Sequence, residues 1–313
     1  VSPHRPHTLQ ESVRDTPPTA PAGAFLGLAI VIATIVGMLV AGALASPNPP
    51  VPSTIAGETE AADQRAEPVA SRGAKAPRGT PEALDLLTRM RAALGGKALD
   101  RIEGVRASML VRRGERDENP VEIVVASRPE RTGRPFAAVI RQAGGGRGAS
   151  EIGFDGTHGW MSDGTGGFMP LDADQALAML SGADLQALAR DLPSRFDRFD
   201  LDPPGEFRGK RVLSLRAVSD EDPPGDFTRV HVDPSTALPL AIESFEADAN
   251  RPFNVAIFDR WERLDEARVF RRMTSERGGA ITIIDFETIA YDPIPGEAIA
   301  SPLDRDAAAD TDG

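Results

Sequence analysis

The sequence predicts an α+β domain: a long antiparallel sheet of meandering strands covered by short helices, preceded by one N-terminal transmembrane helix. Three observations predict it. Residues 22–45 are apolar and uncharged. The apolar spacing changes from helical to period two at Val105, and turn dipeptides separate the strands that follow. An interlude of helical spacing at 172–197 then interrupts the strands, an order that favours segregated helices over an alternating β-α fold.

Residues 1–21 are polar and proline-rich and predict a disordered tail. The stretch 22–45 has its nearest charges at Asp15 and Glu58. As a helix it rises roughly 36 Å, enough for a ~30 Å hydrocarbon core. Two readings compete: a permanent signal anchor, and a signal peptide cleaved after Ala43-Leu44-Ala45. The apolar run exceeds the ~7–15 residues of a usual signal core, which favours the anchor. Arg5 and Arg14 precede it and no Lys or Arg follows until Arg65. The positive-inside rule therefore places the N-terminus in the cytoplasm and the rest in the periplasm or otherwise outside, a single-pass cell-membrane protein. Residues 46–79, rich in Pro, Ala and Gly, read as a linker.

Folded structure is expected over 80–302. Thr80-Pro81-Glu82 is an N-cap, a proline in the first turn and a favourable acid. Ala83, Leu86, Leu87, Met90 and Leu94 recur on one helical face, and Gly95-Gly96 ends the helix. Strands are expected at 105–111, 121–125, 137–142, 150–154 and through Trp160 and Met161, with turns at 144–148, Asp155-Gly156 and Asp163-Gly164. Asp172 or Asp174 can cap one short helix, and Asp184 another that holds Leu185, Leu188 and Leu192. Strands resume at 211–217, 227–232, 238–245, 255–261, 268–274 and 281–289, and the acidic tail 303–313 is expected to fray.

The chain of 313 residues has net charge −12 and no cysteine. The acidity opposes binding to nucleic acid or to anionic membrane surfaces. The missing cysteine excludes disulfides, thiol catalysis, thiolate metal sites and an acylated N-terminal cysteine. Phosphate-loop, dinucleotide, zinc-protease and nucleophile-elbow spacings are absent, so no catalytic residue and no cofactor is assigned. His4 and His7 fall in the N-terminal tail. His231 alternates outward beside Val230 and Val232 and reads as a solvated strand residue, and His158 reads as a loop residue. The echo D-x-D-P-P-G-acid-Phe at 200–207 and 220–227 reads as two turns feeding strands; a calcium site is the weaker reading, and no metal is assigned. The scarce aromatic residues group in each half of the sheet. Phe154, Trp160, Met161 and Phe168 in one half, with Phe258 and Trp261 in the other, are the candidate lining of an apolar cavity.

Three stretches, A-A-L-G-G (92–96), F-D-G-T-H-G-W (154–160) and V-H-V-D-P-S-T-A-L-P-L (230–240), come in an order that resembles the LolA-like superfamily of periplasmic lipoprotein carriers and lipoprotein-sorting proteins. The resemblance covers roughly 79–302 by pattern. It implies a strongly curved antiparallel sheet, an incomplete β-barrel with helices over its open side. It also implies an apolar ligand, a lipid or the acyl chain of a lipoprotein, and no catalysis. The membrane tether and the missing cysteine depart from a freely diffusing carrier. The alternative is a regulatory or scaffolding module whose sheet is fully packed and whose surface binds a protein partner.

Overall fold

Thr80 caps the first helix, its hydroxyl accepting from the backbone N–H of Ala83 (3.3 Å). The helix, α1 (Pro81–Leu94), buries the five positions its spacing sets on one face: Ala83, Leu86, Leu87, Met90 and Leu94. Gly95 (φ 136°) turns the chain into a 3-10 segment, Gly96–Arg101. The computed structural model describes residues 76–299 except 114–116, 128–135, 144–148, 163–166, 181, 221, 292–293 and 295. The apolar stretch 22–45, the tail before it, the linker up to residue 75, the tail after 302 and the turns at 144–148 and Asp163-Gly164 lie outside the described residues. Among the described residues no helix is long and apolar enough to cross a membrane.

The strands are β1 (Arg78–Gly79), β2 (Val105–Arg113), β3 (Asp117–Ser127), β4 (Ala137–Gln142), β5 (Ser150–Phe154), β6 (Gly159–Ser162) and β7 (Phe168–Leu171). After three short helices, α2 (Ala173–Leu180), α3 (Ala187–Arg190) and α4 (Leu192–Arg195), they resume. These are β8 (Arg198–Leu201), β9 (Gly205–Phe207), β10 (Lys210–Val218), β11 (Phe227–Val232), β12 (Pro239–Phe245), β13 (Asn254–Leu264), β14 (Ala267–Arg277) and β15 (Ala280–Ala290). The order is β1-β8-β10-β11-β12-β13-β14-β15-β2-β3-β4-β5-β6-β7, with β9 on β10 off this path. Hairpins follow the sequence within each half. The halves join where β15 pairs with β2, for example Ile284 with Val111 and Phe286 with Met109.

The expected meander is present with two differences. β1 adds to β8 in parallel, and β7, β8 and β9 are strands the period-two reading does not find. Each of the four has four residues or fewer, too short for an alternation to register.

The sheet does not close: β1 and β7 remain at its ends. Its fourteen-strand path laid flat would be about 60 Å wide at ~4.8 Å per strand, and open twisted sheets of that size curl. Accordingly α1 rests on both β8 and β14, five places apart in the strand order. The inner face and the helices form one apolar core that runs from Ile152 and Phe154 through Met109, Ile284 and Phe270 to Val230 and Leu215.

The Asp172 cap forms as expected, whereas α3 has Gln186 at its N-cap and the helix expected through Leu192 breaks at Asp191 into α3 and α4, with Asp184 accepting from one N–H of the turn. Asp172 Oδ1 accepts from Gln175 N (2.8 Å) and Asp184 Oδ1 from Ala187 N (3.3 Å). Gln186 fixes the interlude to the sheet: its Nε2 donates to the Phe270 carbonyl (3.0 Å) and its Oε1 accepts from the Phe270 N–H (3.3 Å).

Candidate functional site

Two of the stretches that carry the family resemblance meet in space. The first is the end of α1. A side chain on Gly95 would place its Cβ 2.8 Å from the carbonyl oxygen of Glu266, so only glycine lets α1 approach the β13–β14 turn this closely. The second is the turn between β11 and β12. Asp233 Oδ1 accepts from Ser235 N (2.7 Å), Ser235 Oγ (2.5 Å) and Thr236 N (3.1 Å). Ala237 completes the turn at φ 57°, and Asp233 N donates to the Leu238 carbonyl (2.9 Å). The third wall is the tip of the β13–β14 hairpin, where Asp265 has φ 52°. Between these walls lies a cleft of about 430 Å³. Ala92, Ala93 and Gly95 form one side, Thr236 and Leu238 another, and Arg263, Glu266 and Arg268 the third.

The Asp233 turn shapes this cleft and has a pH signature. The Ser235 hydroxyl and the Ser235 and Thr236 N–H groups hold the Asp233 carboxyl below its ordinary value, burial opposing them. A depressed carboxyl contributes stability that is present above its unfolded pKa and is lost as the pH falls through the folded one. Asp233→Ala should therefore cost about 1 kcal/mol at pH 7. That deficit should shrink below pH ~4, which thermal melts of the two proteins across pH 2–7 would check. A deficit constant over that range would show that ionisation plays no part.

The six aromatic and methionine candidates do not gather in one cavity. Phe154 and Phe258 are buried in the main core. Met161 and Trp261 are partly buried against it. Trp261 packs edge-on to Phe258 (6.4 Å between centroids) and Phe270 (5.6 Å). Trp160 and Phe168 belong to a separate cluster with Val124, Ala137, Val139, Ile294 and Ile299. Trp160 and Phe168 thus lie apart from the other four candidates. Trp160 and Met161 are consecutive on β6 and so face opposite sides of the sheet. The ring of Trp160 lies over its cross-strand partner Gly153, where a Cβ would stand 2.1 Å from Trp160 Cζ2. Its Nε1 donates to Glu151 Oε1 (2.7 Å). Gly153→Ala should displace the indole, cost about 1–3 kcal/mol and red-shift the tryptophan emission; an unshifted spectrum would contradict this packing. None of the six candidates lines the cleft at the end of α1. Its residues were nevertheless legible as motif, since five of them fall within 92–96 and 230–240.

His231 also departs from expectation. It points away from the main core as its alternation requires, yet it is buried. Phe207 of β9 stacks on it at 4.4 Å, Ser214 Oγ lies 2.9 Å from Nδ1, and Glu243 Oε2 lies 2.8 Å from Nε2. Arg229 beside it donates to Asp202 (2.8 Å). A three-residue strand placed 24 residues upstream covers this histidine, which its own strand pattern does not reveal. His158 is the exposed loop residue expected, above an Asp155 whose Oδ1 accepts from Thr157 N and His158 N. The acids of the two Pro-Pro-Gly loops go to different arginines, Asp202 to Arg229 and Asp220 to Arg78 (2.8 Å). Among the described residues no three His, Asp or Glu side chains come together as a metal site.

An unclosed, curved antiparallel sheet with short helices on one side is thus in place. The chain is similar in fold to proteins of the LolA superfamily. One such protein from Nitrosomonas europaea shares 11% identity at a TM-score of 0.44, covering 68% of this chain and 98% of its own. A DUF1329 family protein from Desulfovibrio piger shares 14% identity at 0.47, over 71% and 97%. An outer membrane lipoprotein-sorting protein domain from Vibrio parahaemolyticus shares 12% at 0.45, over 73% and 97%. No family model matches the chain, and no curated protein matches it. At these identities the likeness concerns the fold alone.

Proposed function

We propose that this chain is a membrane-tethered, extracytoplasmic binding module for an apolar ligand, a lipid or the acyl chain of a lipoprotein. Residues 22–45 are its anchor, 46–79 its spacer and 80–302 its binding domain. The observation that carries the reading is the cleft at the end of α1. Its volume of about 430 Å³ falls within the ~300–1,000 Å³ of ligand pockets. Two of its walls present the apolar side chains of Ala92, Ala93 and Leu238, and a rim of charged residues stands at the third, a division suited to an amphiphile. The catalytic spacings absent from the sequence make binding, not turnover, the role proposed.

Native mass spectrometry of the full chain, extracted from membranes in a mild detergent, tests this. A discrete adduct in the lipid mass range is expected, reduced when Ala92→Asp puts a charge on an exposed residue of the apolar wall. Only the bare protein mass under every extraction condition would remove the reading. A second reading, a scaffold that binds a protein partner, is favoured by the density of the core, where Leu215, Val230, Phe270, Met273 and Ile284 are fully buried. It would become the preferred one after that result. The tether is tested separately by reporter fusions after residue 80: activity of a cytoplasm-only reporter there would sink the orientation.

A further inference from the structure

The rim of the cleft carries a feature the fold does not require. In the β13–β14 hairpin Trp261 pairs with Phe270, and the pair two residues nearer the tip is Arg263 with Arg268. Like charges directly opposite one another in a sheet are destabilising, so this arrangement costs stability unless something offsets it. Both side chains are exposed, so solvent screens part of that cost, but among the described residues no carboxylate pairs with either. Arg263 spends its Nε on the Asp265 carbonyl (2.9 Å), and its two terminal nitrogens make no hydrogen bond. Arg268 makes no hydrogen bond or ion pair at all. The acids close by are engaged elsewhere: Glu266, which shares the cleft wall, pairs with Arg101, and Asp233 is held by its own turn. Asp265 does not line the cleft. Two guanidinium groups with unbonded terminal nitrogens thus line, from paired positions, a cleft that also presents Ala92, Ala93 and Leu238, in a chain whose net charge is −12. One strand period inward, the indole N–H of Trp261 is buried and meets no acceptor among the described residues.

We propose that Arg263 and Arg268 form an anion receptor that holds the carboxylate or phosphate head group of an amphiphile whose tail enters the cleft. The inference rests on the apolar-ligand reading above and adds the chemistry of the head group. Guanidinium pairs oxyanions through two parallel N–H···O bonds, shorter and stronger than neutral ones. An anion between the two forks would also remove their mutual repulsion, so the ligand and the hairpin tip stabilise each other. The selectivity that follows is for anionic over neutral amphiphiles, a discrimination that apolar walls by themselves do not supply.

The test is calorimetric titration of the full chain in phosphatidylcholine nanodiscs, with empty nanodiscs as blank. Three probes are compared: octanoate, its uncharged counterpart 1-octanoylglycerol, and inorganic phosphate. Octanoate should bind roughly tenfold more tightly than the neutral ester, and added salt should weaken octanoate alone. R263Q/R268Q should abolish the preference without lowering the melting temperature of the ligand-free protein, since the facing charges it removes repel. R268Q by itself, at a residue with no internal bond to lose, should remove part of it. Equal affinity for the acid and the ester in the parent protein would overturn the receptor, as would a preference that survives R263Q/R268Q. Either result leaves apolar binding standing. Saturable phosphate binding that needs both arginines, with neither octanoyl compound bound, would support the receptor and remove the amphiphile reading. No binding of any probe would overturn both.

Discussion

Leu87→Asp is expected to unfold the domain. Leu87 is 4% exposed, in the middle of α1, between Leu86 and Met90 in the core beneath the helix. Removing its side chain from that core costs on the order of 3 kcal/mol. Placing a carboxylate there adds the penalty of a buried, unpaired charge, or of the shifted ionisation that avoids it, a further few kcal/mol. The sum approaches the ~5–15 kcal/mol that holds an ordinary domain together. Circular dichroism melts should show no cooperative transition, or one lowered by tens of degrees. Thr88→Asp is the matched control, one position along on the exposed face, where only a hydroxyl bond to the Leu84 carbonyl is lost (2.8 Å). If Leu87→Asp melts with the parent, α1 does not seat on the sheet through this face.

Arg190→Met is expected to cost about 3–5 kcal/mol, the penalty of removing one partner from a buried ion pair. The Arg190 side chain is only 4% exposed. It forms an ion pair with Asp184, its Nε donates to Asp191 Oδ1 (3.1 Å), and its guanidinium lies 5.6 Å from the centre of the Tyr291 ring. Burial opposes the charge, yet the attraction of Asp184 and Asp191 outweighs it and holds the guanidinium pKa above its ordinary value. Methionine in its place removes the cation that Asp184 and Asp191 share and leaves Arg195 as the remaining arginine acting on Asp191. The helical interlude is anchored to the sheet through Gln186 and Phe270, so a disordered interlude would expose the inner face. Chemical denaturation measures the loss. Neutralising the acids as well, in R190M/D184N/D191N, should recover most of it, because the remaining cost was that of unpaired charge. A triple variant no more stable than Arg190→Met would mean that guanidinium packing, not its charge, holds this layer.

The amino-acid sequence by itself determined what depends on neighbours along the chain. The face of α1, its Thr80 cap and its glycine stop follow from spacing and from the chemistry of a few adjacent residues. So do the strands at Ser150–Phe154 and Phe227–Val232 and the cap at Asp172. Each is settled by hydrogen bonds or side-chain periods that span four residues or fewer. The meeting of 92–96 with 230–240 was foreshadowed only as motif, without the cleft between them.

The tertiary structure alone decided what depends on distant partners. Alternation on β6 shows that Trp160 and Met161 face opposite sides, but not which side holds the main core, because here both sides are covered by apolar residues. The outward position of His231 was readable, and its burial was not, since Phe207 arrives from another strand. The pairing of β15 with β2 and the parallel addition of β1 to β8 join residues far apart in sequence, with no local pattern to announce them. The same holds for Arg263 beside Arg268: each is an ordinary exposed cation on its own strand, and only the register of the hairpin sets the two at paired positions lining a cleft.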